Sequence, residues 1–160
     1  MIEESTKVMR KSVLALILVV VMLGFTACGT PKTPLTTDQF SEQAASAGYE
    51  VSDATEQLET ESVQEAAVAE NGNYQLWFYT LPSSSAANAA FAGSRQKFED
   101  AAGGFSSYKS VTILNYKYYY QTASNNFYLV AVIDNTMVYC VAEKSYANEI
   151  KDFVKSLGYM

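Results

Sequence analysis

The carboxy-terminal part of the chain constrains the fold most. From Ser110 to Ala142 it is built largely of β-branched and aromatic residues, interrupted at Ser124-Asn-Asn126 and at Asp134-Asn135. Branched and aromatic side chains favour strands because they fit a pleated surface. Asn, Asp and Ser favour turns because they hydrogen-bond their own backbone. The pattern predicts three strands, Ser110 to Gln121, Phe127 to Asp134 and Thr136 to Ala142. Strands joined by so few residues pair antiparallel.

Upstream, Thr36 and Gln39 have the spacing of a helix capping box, and Phe40, Ala44 and Ala47 recur on one helical face before Gly48. A strand is expected from Tyr49. Glu65-Ala-Ala-Val-Ala-Glu70 and Tyr74 to Leu81 read as strands around a turn at Asn71-Gly72. A helix over Ala86 to Ala102 has Ala87, Phe91 and Phe98 on its apolar face, and another over Tyr146 to Leu157 carries Ile150, Phe153, Val154 and Leu157. The expected order is α-β-β-β-α-β-β-β-α. It implies an α+β domain, residues 36–160, with an antiparallel sheet and its helices on one face. The first and last helices both end in Ser-x-Gly-Tyr, at Ser46 and at Ser156, an echo compatible with an internal αβββ duplication. Gly-terminated helices are common enough to produce half of it.

The amino-terminal region is of another kind. Lys7, Arg10 and Lys11 precede the apolar run Val13 to Phe25, then Thr26, Ala27 and Cys28. A basic cluster, a short apolar run and small residues make an export signal over residues 1–27. The run falls short of the ~20 residues a crossing helix needs, and Pro31 and Pro34 oppose its continuation. Glu3 and Glu4 sit badly in such a signal. They are accounted for by a true start at Met9 or by a tolerated extension.

Phe25-Thr26-Ala27-Cys28 resembles the lipobox of bacterial lipoproteins, with Phe in the position that usually holds Leu. The resemblance implies cleavage before Cys28, lipidation of its thiol, and anchoring on the outer face of the cell membrane. Two acyl chains make such an anchor stable. Residues 28–35 would then be the lipidated cysteine and a short tether. The exported part is similar in pattern to small Gram-positive lipoproteins of undefined function: a helix ending in Gly48-Tyr49, the strand YQLWFY, and a last helix ending in Leu157-Gly158-Tyr159. That similarity implies no catalytic residue.

The chemistry points the same way. With no histidine in the chain, Ser-His and Cys-His nucleophile pairs and histidine-ligated zinc are excluded. Cys140, in an apolar run, is expected to be buried and inert. No calcium-loop motif occurs, and no cofactor or metal is expected. Between Lys32 and Arg95 stand nine carboxylates and no Lys or Arg, which argues against nucleic acid. No carboxylate pair stands out for acid–base catalysis, so the expected role is non-catalytic binding of an envelope protein or a wall polymer. The rival is a small carboxylate-dependent envelope hydrolase. The candidate surface is Tyr116, Tyr118 and Tyr120, which share one face of a strand. They form either an aromatic platform or part of the core, with Lys117 and Tyr119 facing the other way.

Overall fold

A computed structural model of the chain describes residues 30–58, 62–104 and 106–160. The expected export signal and Cys28 lie outside the described residues. The compact unit that carries the fold runs from Pro31 to Met160, and it is α+β.

Helix α1 spans Thr37–Ser46 and starts with the expected reciprocal cap, the Thr36 side chain accepting from Gln39 N–H and the Gln39 side chain from Thr36 N–H. Strand β1 (Glu50–Asp53) and a 3-10 turn over Thr55–Gln57 follow. Strands β2 (Glu65–Glu70) and β3 (Gln75–Thr80) are joined through Asn71, whose side-chain oxygen accepts from the N–H groups of Asn73 and Tyr74. Helix α2 spans Ser84–Ala102. Then come β4 (Ser107–Ile113), β5 (Tyr116–Ala123), β6 (Asn126–Ile133), β7 (Thr136–Glu143) and helix α3 (Ala147–Ser156).

The expected strand over Ser110 to Gln121 is therefore two strands. The chain reverses at Leu114-Asn115, pairing Ile113 with Tyr116. Three hairpins of one design follow at ten-residue intervals, turning at Leu114-Asn115, Ser124-Asn125 and Asp134-Asn135, and the first residue of each turn has a positive φ. All strands join one antiparallel sheet in the order β1-β2-β3-β7-β6-β5-β4.

The helices occupy both faces, which corrects the expectation of one covered face. Helices α1 and α3 close over Leu76, Phe78, Leu129, Ala131, Val138 and Cys140, while α2 closes with Phe91 and Phe98 over Tyr119, Val130, Val132 and Met137. The reason lies in the middle strands. Leu129 to Ile133 are all buried, so β6 is apolar on both sides and each side must be kept from water. A buried Gln121 ties α2 to the sheet. It accepts from the Tyr119 hydroxyl at 2.7 Å and donates to the Phe98 carbonyl.

The division of helices also decides the duplication. Two αβββ units joined across the antiparallel β3·β7 seam would be related by rotation about the sheet normal, which keeps both leading helices on one face. Because α1 and α2 lie on opposite faces, that unit is not repeated. The echo belongs to α1 and α3, which share a face and end alike. Tyr49 N–H reaches Ala44 O at 3.0 Å and Tyr159 N–H reaches Val154 O at 3.1 Å, over glycines at φ 93 and 87. This six-to-one closure needs the left-handed residue that glycine supplies, and it turns both tyrosines into the core.

Candidate binding surface

On the face shared by α1 and α3, the helices lean on β1–β3 and on β7, leaving the flank at β4 and β5 to other groups. That flank carries the tyrosine row. Because residues two apart on a strand share a face, Tyr116, Tyr118 and Tyr120 are neighbours, and Ile113, Val111 and Lys109 stand opposite them on β4. Tyr118 is buried, 7% exposed, while Tyr116 and Tyr120 are half-buried at the margin of the main core. The rings of Tyr118 and Tyr120 are nearly parallel, with centroids 6.3 Å apart.

Lysines provide part of the cover. The ammonium of Lys32 lies 4.0 Å from the Tyr116 ring centroid, that of Lys151 5.5 Å from Tyr120, and that of Lys109 5.9 Å from Tyr118. A cation over an aromatic face is attracted by the ring quadrupole. The row is thus a core margin with lysines over it: Tyr118 is core, and Tyr116 and Tyr120 keep part of their surface open. The chain from 101 to 133 contains two lysines and no carboxylate, so β4 and β5 add no negative charge to the flank.

Tyr119 and Lys117 face the other way, as expected, but the face they enter is covered. Tyr119 is 1% exposed beneath α2 and stacks on Tyr108, and Lys117 reaches over the Phe91 ring. With helices expected on one face only, either the row or Tyr119 would have been left open; the cover that α2 gives the second face buries Tyr119 as well.

Lys32 has a second role that sequence reasoning missed. Asn115 accepts its N–H at 2.9 Å and donates to its carbonyl at 2.7 Å, and the same amide donates to Asp134. The Lys32 ammonium donates to the main-chain oxygens of Gly158 and Met160. Burial lowers the pKa of this lysine. The chain is therefore held to the domain from Lys32 onward, where the sequence suggested a tether as far as residue 35.

Concavities among the described residues lie elsewhere. A polar groove of about 820 Å³ opens between the start of α1 and the ends of β1 to β3, with Asp38, Asp53, Glu56 and Glu65 in its lining. Asp53 accepts the Thr55 N–H at 2.8 Å, and this hydrogen bonding lowers its pKa, the opposite of what a general acid at neutral pH needs. A smaller pocket beside Glu149 is bordered by a relay. The Tyr74 hydroxyl donates to Glu149 at 2.7 Å, so the Tyr49 hydroxyl, 2.7 Å from it, donates to Tyr74. Burial raises the pKa of both phenols. The relay staples α3 to the β2–β3 turn and carries no nucleophile.

Cys140 is fully buried, and burial alone pushes its thiol up to about 12. A thiol in that state is a core side chain. Among the described residues no group of three or more Cys, Asp or Glu is arranged to hold a metal, and no helix is long and apolar enough to cross a membrane. Comparison with protein-family models, with curated proteins and with solved structures found no match to this chain.

Proposed function

We propose that this chain is a lipoprotein anchored through Cys28 to the outer face of the cell membrane, and that its domain binds an anionic polymer of the envelope without catalysis. The observation that carries the binding part is the tyrosine row with an ammonium over each ring. The half-buried Tyr116 and Tyr120 offer apolar surface to the sides of sugar rings, and the lysines beside them attract phosphate or carboxylate groups along a chain. The carboxylates of α1, β1 and β2 disfavour contact on their side of the domain, so a polyanion is steered away from it and towards this flank. The anchor is supported by the basic cluster, the short apolar run and Phe25-Thr26-Ala27-Cys28.

The test is binding of wall polymer to the purified chain at rising salt. Lys109→Glu with Lys151→Glu should weaken binding roughly tenfold or more, equivalent to ~1.4 kcal/mol or above, and reduce its salt dependence. Both lysines reach the row from its rim, so the fold should survive the change. Equal binding by the double variant would reject the site.

A carboxylate-dependent hydrolase is the second reading, and it would have to use the acidic groove with Asp53 as its ionised group. Turnover of peptidoglycan fragments that disappears on Glu65→Gln or Asp53→Asn would favour it over the first.

A further inference from the structure

Of the three equivalent hairpin turns, two carry polar residues in the strained position and one does not. Ser124 and Asp134 have φ of 54 and 49, and Leu114 has φ 47. Small polar residues tolerate this region because they bond locally, whereas a leucine only bears its steric cost. Packing within the domain does not compensate, since Leu114 is 64% exposed and its neighbour Ile113 is 40% exposed. The half-buried Tyr116 and the Lys32 ammonium over its ring complete the corner.

This corner is also where the chain enters the domain. Asn115, the second residue of the same turn, clamps the backbone of Lys32. Four residue steps separate Lys32 from Cys28, a reach of about 13 Å at most. The Asp134 turn lies at the same end of the sheet, and its carboxylate is held by Asn115. The Ser124 turn lies at the opposite end, beyond the length of β5.

We infer that Ile113 and Leu114 form a lipid-contacting tip that enters the headgroup region of the outer leaflet, with Tyr116 and Lys32 at its water-facing border. The inference rests on the proposed anchoring at Cys28 and extends it, because a chain fixed at Lys32 brings this corner to the bilayer. Apolar side chains flanked by tyrosine and lysine match the chemistry of a membrane interface. The acidic groove opens on the β1 to β3 side of the same end. The β4–β5 corner stands at the opposite edge of the sheet from those carboxylates.

The test uses the full chain in phosphatidylcholine–phosphatidylglycerol vesicles containing doxyl-labelled phosphatidylcholine. An environment-sensitive fluorophore is attached at Thr112→Cys or, as reference, at Ser124→Cys; the buried Cys140 and an acylated Cys28 do not compete. The 112 probe should lose most of its emission to the doxyl lipid while the 124 probe loses none. Leu114→Asn with Ile113→Thr should abolish that loss. Equal quenching at both sites, or quenching that survives the double change, overturns the tip. A blue shift at 112 without lipid quenching would assign the corner to contact between copies and also overturn it. Intact mass of the same sample reports the anchor separately. Acyl chains on Cys28 with an unquenched 112 probe reject the tip alone, and a Cys28 without lipid rejects both.

Discussion

The carboxamide of Asn115 grips both main-chain polar groups of Lys32, as a neighbouring strand would. It joins residues 83 apart in the chain and sets where the domain begins. Asn115→Ala removes both bonds and the one to Asp134, and should cost ~1–2 kcal/mol. Hydrogen exchange at the Lys32 amide should accelerate well before global unfolding. Unchanged protection there would mean that the segment is held by Leu35 and later residues alone.

Tyr119 should prove the most sensitive position of the tyrosine strand. Its ring is buried beneath α2 and its hydroxyl satisfies Gln121, so Tyr119→Ala should destabilise the domain by ~3–5 kcal/mol. Tyr118→Ala should approach that value. Tyr116→Ala and Tyr120→Ala, at half-buried positions, should cost about 1–2 kcal/mol. Denaturant titration of the four variants checks the order, and a larger loss at Tyr116 than at Tyr119 would reverse the assignment of faces.

The strained turn leads to an opposite expectation. Leu114→Asn replaces an exposed leucine at positive φ with a residue that tolerates it, and should raise stability by ~0.5–1 kcal/mol in free solution. A thermal melt of the detergent-free chain measures it. A loss of stability would show that Leu114 makes a packing contribution within the domain.

Alkaline pH should weaken the fold through groups buried in their protonated forms. Burial pushes Cys140, Tyr79 and Tyr159 up to about 12, from ordinary values of 9.0 for the thiol and 10.0 for the phenols. Their contribution is intact below those ordinary values and is lost as pH rises from about 9 towards about 12, because the unfolded chain releases its protons first. Tyr159→Phe should flatten the upper part of the profile. A denaturation midpoint constant from pH 8 to pH 11 would contradict the burial of these groups.

Much of the fold was legible because local chemistry and tertiary structure agree. The capping box at Thr36, the turn residues at 124–126 and 134–135, and the stripe of α3 each act within a few residues, and each element formed where its signal lay. The turn at Leu114-Asn115 was hidden because leucine is the wrong residue for its φ. The second covered face had a signal of its own. Met137 to Ala142 reads as apolar on both sides of a strand, and a strand of that kind requires cover on both, so the run signals the second covered face as well as the burial of Cys140. The clamp on Lys32 had no sequence signal, since an Asn in a turn looks the same whether or not it binds a distant backbone.

The central claim is that this domain is held at the membrane by its own cysteine, and intact mass of the chain extracted from membranes tests it most directly. The account predicts a species beginning at Cys28 and heavier by a diacylglyceryl group, and a Cys28→Ala chain that keeps its full amino terminus and carries no lipid. A wild-type chain with a free Cys28 thiol, uncleaved or cut elsewhere, would contradict it.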